Sequence, residues 1–322
     1  MRTRTSLKEP KMPQNTAMLV HRVSSRVFHQ TQRCVWYQDS SHRKPYLLLH
    51  QVNGLLQTLE QIIFARIGNQ GEDCLSINVQ VPAGVNSTSG LPVMFWIHGG
   101  GFELGSSAAL GAETTLLPGL LYQGAALVKE SVAMKQPMIF VSANHRLNAF
   151  GAMNSKEMDD AGASNLLLKD QRTAMEWIQK YIGNFGGDKN RVTLYGESAG
   201  SLAIATHLVL NGGNPEGLFH GAIMASGGIS KVKDIHADQY IFDFIAKQSG
   251  CGSATDKLAC LKVAEYKKVY NALQQLPNFF SYTNVRLPGW YPRPDGTYLV
   301  DSPHRLLREG KVADVPYIIG DM

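Results

Sequence analysis

The sequence predicts an α/β fold, a mostly parallel sheet with helices on both faces. Three observations carry that expectation. Five short apolar runs end in glycine or a turn residue, helical periodicities lie between them, and the 322 residues are 44% hydrophobic and 18% charged, enough for a large buried core. Strands that alternate with helices are joined by right-handed crossovers, which sets them parallel.

From Asp73 onward the elements follow in order. "CLSINVQVP" alternates as a strand does, with Leu75, Ile77, Val79 and Val81 on one face. "PVMFWIHGGG" is a continuous apolar run ending in glycines, the pattern of a buried strand entering a tight loop. "QPMIFVSANHR" at 136–146, "RVTLYGES", "GAIMASGG" at 221–228 and "DVPYIIG" at 314–320 repeat it. Residues 165–183 place Leu167, Ala174, Met175, Trp177, Ile178 and Ile182 at mainly three- and four-residue steps, a helix that Asn165 would cap at its start and Gly183 at its end. Ala199 to Leu210 reads as a buried helix of small residues. No internal repeat or low-complexity tract interrupts the pattern.

Charge divides the chain. Residues 1–70 hold ten Lys/Arg and three Asp/Glu, a net of +7, while the remaining residues hold 21 and 23, a net of −2. The body is near neutral, which argues against nucleic acid as its partner. Residues 1–70 show little sustained periodicity and are expected to be a poorly ordered basic segment, with 71–322 forming the α/β domain. No stretch approaches the roughly 18–20 apolar residues of a membrane span. The first residues, "MRTRTSLKEPKMPQNTAMLVHR", are basic but lack the apolar core of a signal peptide.

The chemistry concentrates at two loops. In an open parallel sheet, reactive groups collect at the carboxyl ends of strands. Gly196-Glu197-Ser198-Ala199-Gly200 lies there, between a strand and a helix, the context that makes G-x-S-x-G a nucleophile elbow. Glycines at 196 and 200 carry no Cβ to clash in so sharp a turn, and the helix that starts at once directs partial positive charge at an anion formed on a substrate. The second loop is "HGGGFELGS", His98 to Ser106. It predicts an oxyanion hole made of the backbone amides of Gly100, Gly101 and Ala199. A phosphate-cradling loop is the rival reading, but "GGGFELG" is out of register with G-x-G-x-x-G and a Walker lysine is absent.

These stretches, with "EDCLSINVQVP", "NLLLKDQRTAMEWIQKYIGNFGGDKNRVTLYGESAGS" and the Cys251 and Cys260 region, resemble the type-B carboxylesterase/lipase family, which includes cholinesterases and fungal lipases. "LVKESVAMKQPMIFVS" and "FELGSS" are most similar to the fungal lipase branch. The resemblance covers about residues 72–321. It implies an α/β-hydrolase fold and hydrolysis of a small-molecule or lipid carboxylic ester through an acyl-enzyme on Ser198, with no cofactor and no metal ion. Oligomeric state is left open. Glu197 matches a family acidic residue thought to tune the site; a hydrogen-bonded carboxylate of purely structural role is the other reading.

The departures from the family matter too. His145 stands where the family has a tyrosine. Its ordinary pKa would suit a general base, yet that position points to a structural role. The family's opening strands have no counterpart in residues 1–70. Cys251 and Cys260 match a family disulfide, which would stabilise by roughly 2–4 kcal/mol when oxidised; Cys74 matches half of another, and its pairing with Cys34 is left open. The cysteines and the sequon Asn86-Ser87-Thr88 suit an oxidising, glycosylating route, against which stands the missing signal peptide.

The family's acid lies in a "G-D-x-x-D-E-G"-like turn, and its histidine comes later in the chain. Here the matching stretch is Gly320-Asp321-Met322. His207, His220, His236 and His304 all precede it, and none sits in a histidine-bearing family motif. The expectation is a fold lacking its C-terminal strands and helices, a triad without its acid and base, and an inactive chain when taken alone. The alternative is a non-catalytic α/β-hydrolase-like binding protein.

Overall fold

A computed structural model describes residues 18–24, 74–103, 105–107, 124–277 and 289–321. Seven strands form one sheet: β1 (Met18–Ser24), β2 (Ser76–Pro82), β3 (Leu91–Ile97), β4 (Ile139–Ala143), β5 (Gly187–Glu197), β6 (Gly221–Ala225) and β7 (Tyr317–Gly320). Their spatial order is β1-β2-β4-β3-β5-β6-β7. β1 pairs antiparallel with β2 and β2 with β4, while every pairing from β4 to β7 is parallel. The six runs read as strands after Asp73 are β2 to β7. β1 lies inside the basic segment, where the sequence pattern marks no element; it pairs residue for residue with β2, from Met18 opposite Pro82 to Ser24 opposite Ser76.

The sheet is covered on both faces. Along β3 and β4 successive side chains go to opposite sides: Phe95, Ile139 and Val141 join the main core, whereas Trp96 and Phe140 pack with Val128 of α1 (Gly124–Ala133). α1 approaches so closely that a Cβ on Gly124 would lie 2.0 Å from Phe140 Cδ1. The main core also takes Leu167, Met175 and Ile178 of α4 (Leu166–Tyr181) and Ala203 and Ile204 of α5 (Ala199–His207). Two short helices, α2 (Asn148–Ala152) and α3 (Lys156–Asp160), link β4 to α4. After β6 come α6 (Gln239–Gln248), α7 (Lys257–Val263), α8 (Tyr266–Leu273) and α9 (Pro303–Arg308). Cys251 and Cys260 form the disulfide expected of them, tying the loop after α6 to α7. Cys34 lies outside the described residues.

Three local expectations are corrected. Asn165 is the N-cap residue of α4 and its carbonyl accepts from Leu168 N (3.1 Å), but it is left-handed (φ 54°) and its side chain makes no capping bond. Its side chain instead spans the fold: Nδ2 donates to Arg293 O (2.8 Å) and Asp295 Oδ2 (2.9 Å), and Oδ1 accepts from Arg293 N (2.9 Å). Nor does Gly183 end α4. The helix stops at Tyr181 and tightens into a 3₁₀ turn, Ile182–Phe185, and the left-handed residue that terminates it is Gly186 (φ 81°). Finally α5 stops at His207 rather than Leu210: Val209 N already bonds back three residues to Thr206 O (3.0 Å), and Leu210–Gly213 forms a 3₁₀ turn in which Asn211 (φ 50°) and Gly212 (φ 66°) are left-handed.

Candidate active site

Ser198 sits between β5 and α5 with φ 52° and ψ −120°, a conformation an L-residue adopts only under local constraint. The constraints are visible. Ser198 N donates to Ala225 O (2.9 Å), tying the turn to the end of β6, and Ser198 O accepts from Leu202 N (3.0 Å), the first hydrogen bond of α5. The two glycines of the turn are required by their neighbours. A Cβ on Gly196 would fall 2.7 Å from Gly200 C, and one on Gly200 would fall 2.1 Å from Ile97 O at the end of β3. Ser198 is half-buried.

The glycine loop leaves β3, the strand next to β5, and meets the serine directly. A Cβ on Gly99 would lie 2.7 Å from both Glu197 O and Glu197 Oε2 and 3.1 Å from Ser198 Cβ. Gly100 (φ 110°) and Gly101 (φ 64°) then take backbone conformations that favour glycine. The loop is held in place by Phe102, which is buried with its ring edge-on to Tyr291 (5.5 Å) and whose carbonyl accepts from Asn148 N (2.7 Å). Trp290 Nε1 donates to Glu103 Oε1 (3.0 Å). Thus Ser198, Gly100, Gly101 and Ala199 are carried by two touching loops at the carboxyl ends of adjacent parallel strands. As the first residue of α5, Ala199 has an N–H with no partner one turn back.

A layer of neutral imidazoles lies behind this loop. The His98 and His145 rings stack at 4.3 Å with planes 6° apart. Because His98 Nδ1 contacts Gly99 O (3.0 Å) and His145 Nδ1 contacts Arg146 O (3.0 Å), both carbonyl acceptors, each Nδ1 carries the proton. His98 fills the space under Gly105, where a Cβ would come within 2.1 Å of Nδ1. Burial, helped by the neighbouring His145, lowers the His98 pKa to about 3. Burial lowers His145 to about 4, and His207 contributes in the same direction. His207, whose Nε2 donates to Gln171 Oε1 (2.9 Å), is held at about 3 by burial and by Arg172. None of the three is a proton acceptor suited to neutral pH. His145 is buried in its stack on His98, and beside it Arg146 pairs twice with Asp170, Nε to Oδ2 and Nη2 to Oδ1 at 2.7 Å each, fastening the exit of β4 to α4.

Sequence reading missed several parts of this region. Gly99 makes the contact with Ser198, although attention falls first on Gly100 and Gly101. Beyond β6, Ser226 is left-handed (φ 53°) and Gly227 packs on the elbow, with Ser201 Oγ donating to Gly227 O (2.9 Å). Small residues directly after an apolar run at a strand's carboxyl end were the available signal. Among the described residues no group of three His, Cys, Asp or Glu is placed to hold a metal ion, and no helix is long and apolar enough to cross a membrane.

A strained serine raised between a parallel strand and a helix, faced by a glycine loop from the adjacent strand, defines the α/β-hydrolase class. Within that class the chain belongs to the Carboxylesterase family, which its residues 30–322 match. It is similar to Lipase 2 of Diutina rugosa, 42% identical over 269 residues covering 82% of this chain and 47% of the relative. It is also similar to the secreted triacylglycerol lipase LIP1 of Gibberella zeae, 43% identical over 255 residues, 77% of this chain and 41% of the relative. The crystal structure of Aspergillus niger EstA superposes with a TM-score of 0.64 at 32% identity, covering 76% of this chain and 45% of EstA. The chain therefore spans about half the length of the relatives it matches.

Proposed function

We propose that the protein to which this chain belongs hydrolyses carboxylic esters, of small molecules or lipids, through an acyl-enzyme on Ser198. The observation that carries the proposal is the direct packing of the Gly99–Gly101 loop on Ser198, which sets peptide groups beside the strained serine at the end of β5. Attack by Ser198 Oγ on the ester carbonyl forms the bond to carbon and moves the carbonyl electrons to oxygen, while a general base takes the hydroxyl proton and later passes it to the departing alcohol. The amides of Gly100, Gly101 and Ala199 would donate to that oxyanion, aided by the positive end of α5. Collapse of the adduct expels the alcohol, and water then releases the acid.

We further infer that the base is none of His98, His145, His207, His220, His236 and His304, and that the 322 residues assayed alone turn over no ester. His98, His145 and His207 are buried and neutral at working pH, His236 lies against Asp159 (3.2 Å), His220 Nδ1 accepts from Val192 N (3.4 Å), and His304 is exposed on α9. The test is hydrolysis of p-nitrophenyl butyrate by the protein as its gene encodes it, by its Ser198→Ala form, and by the 322-residue chain. Ser198→Ala is expected to lower kcat on the order of a millionfold, the scale seen when a serine nucleophile is removed. A rate unaffected by Ser198→Ala overturns the ester-hydrolase reading. A serine-dependent rate from the 322 residues overturns the statement about the base.

A further inference from the structure

We propose that Asn86 is an acceptor for an N-linked glycan, on a turn that keeps the sugar clear of the serine site. Asn86-Ser87-Thr88 is the only Asn-x-Ser/Thr triplet in the sequence, and its middle residue is not proline. It occupies the connection from β2 to β3, where residues 86–89 are all exposed. The turn has a defined shape. Asn86 Oδ1 accepts from Thr88 N (2.9 Å) and from Thr88 Oγ1 (2.7 Å), so the two side chains that a sequon-reading enzyme must recognise are already side by side. Among the described residues nothing accepts from Asn86 Nδ2, the atom that would be modified.

Position makes a glycan compatible with both fold and site. The backbone of the turn is anchored: Asn86 O packs on Gly186, where a Cβ would come within 2.4 Å, Ser89 N donates to Asn86 O (3.1 Å), and Leu91 N donates to Gly186 O (2.8 Å). The turn feeds the amino end of β3, whereas the glycine loop leaves its carboxyl end. The six steps from Leu91 to Ile97, at about 3.3 Å each, put roughly 20 Å between them. A glycan on Asn86 would project from the end of the sheet opposite Ser198.

The transfer balances without redox chemistry. Asn86 Nδ2 attacks the anomeric carbon of a lipid-linked oligosaccharyl diphosphate. The C–N bond forms, the bond from that carbon to the diphosphate oxygen breaks, the lipid diphosphate leaves, and the amide nitrogen gives up one proton.

The experiment is cell-free translation of the full 322-residue chain, carried by a cleavable leader, into microsomes. Uptake is scored by protection from added protease, so the result does not depend on folding. The expected result is a protected chain with one upward gel shift that peptide-N-glycosidase removes, and no shift in Asn86→Gln or Thr88→Ala. Thr88→Ser is expected to keep part of it. A protected chain that runs unshifted overturns the proposal, and so does a shift that survives Asn86→Gln. Neither result bears on ester hydrolysis, which the Ser198→Ala comparison tests separately.

Discussion

The carboxyl ends of β3, β4 and β5 and the edge strand β7 belong to one sheet but are built on different principles. At the centre every group is fixed by contact. Glycines 99, 196 and 200 stand where any side chain would strike backbone, and the stacked His98 and His145 rings lie buried behind the glycine loop. At the edge, Tyr317, Ile318 and Ile319 are 58%, 66% and 55% exposed, and β7 is held by its parallel pairing to β6 and by bonds such as Ser226 N to Gly320 O (2.7 Å). Close packing transmits any change, whereas main-chain pairing tolerates a change of side chain. The centre should therefore be sensitive to single atoms and single protons, and the edge indifferent to both.

Protons give the largest effect. His98, His145 and His207 have folded-state pKa values of about 3, 4 and 3, below the ordinary 6.5. The folded protein thus binds fewer protons than the unfolded chain between those limits, and stability falls as the pH drops below 6.5. Each group sheds about 1.4 kcal/mol per pH unit in that window, so the three together reach the scale of a typical folding free energy of about 5–15 kcal/mol within a few units, while Asp170, whose carboxyl pKa is pushed up by burial, offsets part of the loss. Urea midpoints should stay nearly level from pH 7.5 to about 6.5 and then fall steeply to pH 4.5. Midpoints that stay level between pH 6.5 and 5 would show that these rings are not buried neutral.

Next is Gly200→Ala. The added methyl meets Ile97 O, Ile97 C and His98 O, all backbone, so the elbow and the end of β3 must separate. The expected cost is about 3 kcal/mol or more, read as a lower urea midpoint at unchanged slope. A cost below about 1 kcal/mol would mean that the centre has slack after all.

The same contrast explains what was legible. β3, β5 and the elbow could be read because their signals are local: an apolar run, then glycines, then a helix. The stack of His98 on His145 could not, because it depends on β3 and β4 being neighbours. Asn165 was misread for a related reason. Its position suggested a cap, and its true partners, Arg293 and Asp295, lie 128 and 130 residues away. β1 escaped because a strand of mixed polarity carries no periodic signal and pairs through its main chain. The sequence did make the fold class, the family and Ser198's turn plain, since these rest on runs of consecutive residues.

His145→Phe is expected to act less on stability at neutral pH than on its pH dependence. A phenyl ring can keep the stack on His98, while the buried Nε2, which has no hydrogen-bond partner among the described residues, disappears along with the titration. The loss of the His145 Nδ1 bond to Arg146 O offsets part of that relief. With one of three titrating groups gone, the acid limb should become shallower by about 1.4 kcal/mol per pH unit at its steepest. An acid limb that is unchanged would place the acid sensitivity elsewhere than in the imidazole layer.

The smallest effect is expected at the edge. Ile318→Thr keeps a β-branched side chain on β7 and leaves its main-chain pairing to β6 intact, while removing apolar surface that is already 66% exposed. The predicted change in unfolding free energy is within about 0.5 kcal/mol. That near-neutrality is specific to the edge: an equally conservative change at Ile139 or Ile204, both fully buried, removes packing on every side. If Ile318→Thr instead costs about 2 kcal/mol or more, the scale of a lost core contact, then this face of β7 is covered by a part of the protein outside the described residues, and the centre and the edge of the sheet are built alike.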